Sequence, residues 1–138
     1  NNLLIIFKHQ NFLIPMNNEF KDNAIVNLTF EFSLKIIDFC DELEKMRKFA
    51  LNDQLFRSGT SIGANTREAQ NAESKADFIH KFKIAAKEIE ETEYWLLLCK
   101  HSNKLPDPTN LLKDLEPIKK IISKIIGTSK RTKKFSHK

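Results

Sequence analysis

The chain has 138 residues, 41% of them hydrophobic and 30% charged, with a formal net charge of +5. That length holds one domain. Three Gly and four Pro are too few to turn the many strands of a β-sandwich, while 11 Phe supply a helical chain with core material.

Residues 1–15, NNLLIIFKHQNFLIP, read as a leader outside the domain, and Met16 reads as the natural start. Leu3–Phe7 is far shorter than the roughly 20 residues that span a bilayer. No basic segment and no small-residue cleavage site mark a signal peptide. The chain is therefore expected in the cytoplasm, with no membrane as partner. There Cys40 and Cys99, each on an apolar helical stripe, are read as reduced buried thiols, although a disulfide between them is geometrically open. The domain is expected over 16–128, followed by a basic disordered tail over 129–138.

The first helix is expected from about Asn27 to Arg47. Leu28, Phe32, Ile36, Phe39, Leu43 and Met46 recur at steps of three and four and form its core seam. Phe30, Leu34 and Ile37 form a second apolar line beside it. A solitary bundle needs one line per helix, and monomers rarely leave such a patch in water. The second line therefore packs in a thicker core or against another protomer, and it marks the candidate oligomer interface.

The second helix is expected from about Ala50 to Asn71. Leu51, Leu55, Ile62 and Ala69 give it a thin apolar line, with Ser58, Gly59, Thr60, Ser61, Gly63 and Ala64 between them. A glycine inside an exposed helix costs about 1 kcal/mol relative to Ala. Two in one helix are tolerable where another backbone approaches closely. Arg57, Ser61, Asn65 and Glu68 share one face, and a buried polar network bonded to a neighbouring helix is the reading favoured over a ligand site.

The third helix is expected from Ser74 to about His101. Ser74 with Asp77 resembles a capping box, Asp standing for the usual Glu. Phe78, Phe82, Ala85, Ile89, Thr92, Leu96 and Cys99 lie in one line. Ile84, Trp95 and Leu98 lie off it and imply that a second side is covered. Pro106 and Pro108 then stop any helix. The fourth helix carries Leu111, Leu115, Ile118, Ile122 and Ile125, with Ile121 and Ile126 alongside. Pro117 predicts a kink or break, Gly127 a stop, and Thr109 a cap at the start. The pattern as a whole is all-α, with four helices.

Within this frame, RSGTSIGANTREAQNAESKADFIHK (57–81) followed by IAAKEIEETEYWL (84–96) resembles one bacterial family. These are the small four-helix-bundle, ribosomal-protein-like proteins encoded in intervening sequences of 23S rRNA genes. The resemblance covers roughly Phe20 to Lys130. It implies an antiparallel up-down four-helix bundle that assembles into a homo-oligomeric ring, typically a pentamer. A related group serves as the accessory protein of diversity-generating retroelements, where it binds nucleic acid and a reverse transcriptase. The resemblance supplies no catalytic residues.

The residues point the same way on chemistry. There is no phosphate-binding glycine loop and no HExxH, CxxC or GxSxG motif. Glu88, Glu91 and His101 suggest a di-metal bundle, but no second helix offers the matching Glu-x-x-His pair. No metal, cofactor or catalytic activity is expected. Lys130, Arg131, Lys133, Lys134 and Lys138 make the C-terminus basic with no acidic residue among them. This is either a solvated terminus or an arm that contacts RNA or DNA. The leading expectation is a non-enzymatic oligomer that binds nucleic acid or a nucleic-acid enzyme such as a reverse transcriptase. The alternative is a protein–protein interaction module or structural scaffold without nucleic-acid affinity.

Overall fold

The computed structural model describes residues 3–7, 12–16 and 18–132, with side chains over 24–131. Two strands, β1 (Leu3–Phe7) and β2 (Phe12–Met16), pair antiparallel with Leu3 opposite Met16 and Phe7 opposite Phe12. Four helices come after them: α1 (Asn18–Lys45), α2 (Phe49–Ala69), α3 (Lys75–His101) and α4 (Thr109–Thr132).

Cross-helix contacts fix the directions. Cys40 lies by Asn52, Ile36 by Gly59 and Thr29 by Gly63, so α1 and α2 run antiparallel. Arg57 meets Glu88 and Glu91 while Glu68 meets Lys81, so α2 and α3 do too. Lys119 reaches Glu90 and Glu93, at similar distances along both helices from the Ser102–Pro108 connection. Lys35 pairs with Asp114 across α1 and α4 and closes the ring of four. The bundle is therefore up-down, as the resemblance implies.

Each seam buries most of its expected members, because three-and-four spacing keeps them on one azimuth, while Leu28, Leu51, Phe78 and Ile125 are half-buried. Phe32, Ile36 and Leu43 from α1, Leu55 and Ile62 from α2, Phe82, Ile89 and Leu96 from α3, and Leu115, Ile118 and Ile122 from α4 share one core. Thr29, Ser58 and Thr66 are also buried, and their hydroxyls donate to the preceding turn at Ile25, Leu55 and Ile62. That back-bonding gives these three hydroxyls partners inside an apolar seam. It also lets α1 and α2 approach closely. A Cβ added at Gly59 would lie 2.8 Å from Ile36 Cγ1, and one at Gly63 would lie 3.2 Å from the Thr29 carbonyl oxygen.

The helix ends reflect local chemistry. Ser74 Oγ accepts from the Asp77 N–H at 3.0 Å, as a capping box requires. The Asp77 carboxylate accepts from Glu73 N–H rather than from Ser74, one residue outside the usual pairing. At the end of α1, Arg47 adopts φ 61°, Lys48 N–H donates to Leu43 O and Arg47 N–H to Glu44 O. This is a Schellman ending with arginine where glycine is usual. Met46, expected in the first seam, lies in that turn and is exposed. The start of α4 is capped by Asp107, whose Oδ1 accepts from both the N–H and the hydroxyl of Thr109, so Thr109 is capped rather than capping.

One expectation about α4 is overturned and another is narrowed. Gly127 does not end the helix, and Pro117 does not break it, which leaves the kink of the two outcomes expected there. Pro117 is exposed, so the Lys113 carbonyl that loses its donor faces water, and the helix can curve convex toward solvent there. Gly127 has no positive φ, and helix-compatible residues come after it.

Candidate nucleic-acid and assembly surfaces

The polar stripe of α2 is not a buried network. Arg57 and Glu68 are exposed, and Ser61 and Asn65 are half-buried. Ser61 Oγ donates to the Arg57 carbonyl at 2.5 Å, and Asn65 Nδ2 donates to the Ser61 carbonyl at 2.9 Å. Short polar side chains reach the preceding turn before they reach a neighbouring helix. Only the two ends cross to α3: Arg57 pairs with Glu91 and, at 3.2 Å, with Glu88; Glu68 pairs with Lys81 at 2.9 Å. The hydrogen bond to Glu91 holds the Arg57 guanidinium above its ordinary range. Glu88 moves up instead, because burial outweighs the pull of Arg57, so Glu91 is the principal partner. Exposed pairs of this kind are worth about 0–1 kcal/mol. Among the described residues, no three His, Cys, Asp or Glu side chains gather as a metal site.

The second apolar line of α1 stays in water on the single chain. Phe30 is 47% exposed, Leu34 43% and Ile37 36%. Two residues that the sequence reading passed over, Phe49 and Phe56 of α2, are exposed as well. Phe56 and Ile37 both line a cleft of about 300 Å³ between α1 and α2, whose rim is acidic through Asp41, Glu44 and Asp53. Phe30 lines a second cleft of about 400 Å³ farther along the same two helices, over Gly63. A further apolar area lies on α3, where Tyr94, Leu97 and Leu98 are exposed. Of the residues expected to mark a second covered side of α3, Ile84 and Trp95 are half-buried and Leu98 is not covered. Tyr94 and Leu97 were legible as a three-residue step on the face opposite the seam, but the regularity of the seam drew attention away from them.

The basic residues are arranged differently from the expected tail. Lys130 and Arg131 belong to the last turn of α4, not to a disordered segment. Lys133, Lys134 and Lys138 lie outside the described residues. Upstream, Lys113, Lys120 and Lys124 are exposed on the same helix. None of the three makes an ion pair with a described residue. Lys119 differs: it turns to α3, where Glu90 and Glu93 hold its ammonium above its ordinary range. The first 108 residues hold 14 Lys and Arg against 16 Asp and Glu; the last 30 hold nine against two. The positive charge thus resides in α4 and the residues beyond it.

With this geometry in hand, comparison with known proteins identifies the family. The model of the 23S rRNA-intervening sequence protein family matches residues 21–124. The chain belongs to that family. One similar solved structure is a protein of unknown function from the S23 ribosomal protein family of Bacteroides thetaiotaomicron VPI-5482. It is 41% identical, with a TM-score of 0.73, over 78% of this chain and 98% of that one. No curated protein matches. The segment matched to the 23S rRNA-intervening sequence protein family takes in α2 and α3 whole, the apolar line of α1, and Lys113, Lys120 and Lys124. It stops short of Lys130, Arg131 and the residues beyond them. Among the described residues, no helix is long and apolar enough to cross a membrane.

Proposed function

We propose that this protein is a non-enzymatic, self-assembling helical scaffold that binds nucleic acid, directly or together with a nucleic-acid enzyme such as a reverse transcriptase. The observation that carries the reading is the separation of charge: a body with a formal charge of −2 and a C-terminal helix and extension with +7. Such a distribution is the footprint of a phosphate-binding surface, not of a uniformly basic protein. Assembly draws support from the uncovered apolar faces of α1, α2 and α3. A homo-oligomeric ring, a pentamer in the form the resemblance implies, repeats the basic surface once per copy. Repetition raises avidity without any new contact. A cytoplasmic location suits this role.

The test is an anisotropy titration of the full chain with labelled single-stranded and duplex RNA and DNA at about 50 and about 200 mM salt. Binding that weakens steeply with salt supports the reading; no binding to any of these probes removes it. The acidic-rimmed apolar groove between α1 and α2 favours a second reading, a protein-binding module without nucleic-acid affinity. Partners captured from a native lysate that survive nuclease, from a protein that binds none of the probes, would establish that reading instead.

A further inference from the structure

We propose that the outward face of α4, through Lys113, Lys120, Lys124 and Arg131, is the surface that tracks the phosphate backbone of a nucleic acid. The inference rests on the nucleic-acid reading above and assigns it to one rigid face. The residues step by seven, four and seven along a helix that advances about 100° per residue. Lys113 and Arg131 therefore share one azimuth, and Lys120 and Lys124 lie within about 20° of it. The row extends roughly 27 Å. Polyanion backbones present charge at regular intervals over that distance, and a straight row of cations matches them where a scattered set does not.

Three observations support this row as a binding face. First, Lys119, which turns from the same helix toward α3, has found carboxylates in Glu90 and Glu93. Lys113, Lys120 and Lys124 have none among the described residues. Second, the acids of α4 scarcely offset the row. Asp114 is neutralised by Lys35 at 2.7 Å, which leaves Glu116 as the one carboxylate of the helix without a described partner. Third, among the described residues no large hydrophobic side chain is exposed on α4, although α1, α2 and α3 each expose some. This face is therefore built for a wet, charged partner. Arg131 Nε donates to the Gly127 carbonyl, which ties the last cation of the row along the helix.

The experiment compares two variants with equal loss of charge: Lys113→Gln/Lys120→Gln/Lys124→Gln and Lys133→Gln/Lys134→Gln/Lys138→Gln. Each phosphate contact to a single strand contributes about 0.7 to the slope of log K against log salt. Loss of three contacts should reduce the slope by about 2 and weaken binding of a single-stranded RNA about 100-fold near 0.1 M salt. The helix variant is expected to show that loss, with an unchanged thermal midpoint. The C-terminal variant is expected to lose less than half as much slope. Glu116→Gln is expected to tighten binding, and the three Lys→Arg replacements together are expected to retain it. Equal losses from the two charge variants would show that only net charge matters and would overturn the assignment. So would loss confined to the C-terminal variant, or RNA binding unchanged in the helix variant while anionic vesicles or an acidic peptide are released. A wild-type protein that binds no RNA or DNA overturns the underlying reading, not merely the choice of face.

Discussion

The contact between α1 and α2 makes a sharp prediction about glycine. In Gly59→Ala the new methyl would lie 2.8–2.9 Å from Cγ1, Cδ1 and Cγ2 of Ile36, against about 3.5–4.0 Å for a comfortable carbon contact. Ile36 is fully buried, and two of the three atoms are attached directly to its Cβ, so rotation about χ1 cannot clear them. The helices must part by roughly 0.7 Å or more, loosening their neighbours along the seam. Overpacking of this kind costs about 1–3 kcal/mol. It is opposed by about 1 kcal/mol of helix propensity and under 1 kcal/mol for burying a methyl. Because three carbons of a fully buried side chain are met at once, the overpacking cost lies at the upper end of its range, and the expected net loss is about 1 kcal/mol. Gly127→Ala is the internal control: its nearest neighbour would be Arg131 Nη2 at 3.8 Å, so it should gain about 0.5–1 kcal/mol. Urea unfolding by circular dichroism, at one fixed protomer concentration, measures both. Gly59→Ala should lower the midpoint and Gly127→Ala should raise it. In Ile36→Ala, which removes the obstructing atoms, Gly59→Ala should turn neutral or stabilising. A Gly59→Ala protein as stable as the Gly127→Ala protein would refute the close-approach argument.

Three other outcomes are expected. Arg47→Gly should raise stability by about 1 kcal/mol in the same assay, because φ 61° is strained for arginine and free for glycine. Burial, reinforced by Asp41 and Cys99, pushes the Cys40 thiol up to about 12 from 9.0. The native state therefore holds that proton where the unfolded state has lost it, so the contribution of Cys40 is intact below pH 9 and declines as pH rises from 9 toward 12. Cys40→Ala should flatten that decline, and Cys40 should resist a thiolate-specific reagent at pH 8 until the protein unfolds. Finally, Phe30→Ser/Leu34→Ser should weaken self-association by about 3 kcal/mol or more, roughly 100-fold, if both side chains are covered in the assembly. Light scattering across a dilution series reads this directly, and a wild-type chain that stays monomeric throughout would refute the assembly proposal.

The architecture was largely legible because helix periodicity is a strong and redundant signal. Seven positions of α3, from Phe78 to Cys99, specify its inward face, and all but Phe78 are fully buried. The glycines of α2 announced a close neighbour, and Ile36 and Thr29 are that neighbour. The misreadings share one cause: a residue was given its most frequent local meaning where tertiary placement decided otherwise. Pro117 meant a kink or a break and Gly127 a stop, yet a solvent-facing proline leaves α4 unbroken and a glycine succeeded by helix formers does not end it. Arg57, Ser61, Asn65 and Glu68 were correctly grouped on one face, but spacing says nothing of how far that face lies from water. The row on α4 was missed because charge was summed along the chain. Lys113, Asp114 and Glu116 nearly cancel in such a sum, although Lys35 takes up Asp114 and leaves Glu116 as the one carboxylate of α4 without a described partner.

The distribution of exposed apolar side chains connects the assembly proposal to the nucleic-acid one. They lie on α1, α2, α3 and the turn at Met46; α4 has none among its described residues. Copies that associate to cover those faces would therefore meet through the first three helices and leave the cation row of α4 in solvent. The two surfaces would not compete, because they occupy different helices. Mutations that dissociate the assembly should then lower avidity while each chain keeps its own salt slope, and mutations in the α4 row should lower the slope while the assembly persists. A single surface serving both purposes would couple the two readouts, and either class of variant would then change both.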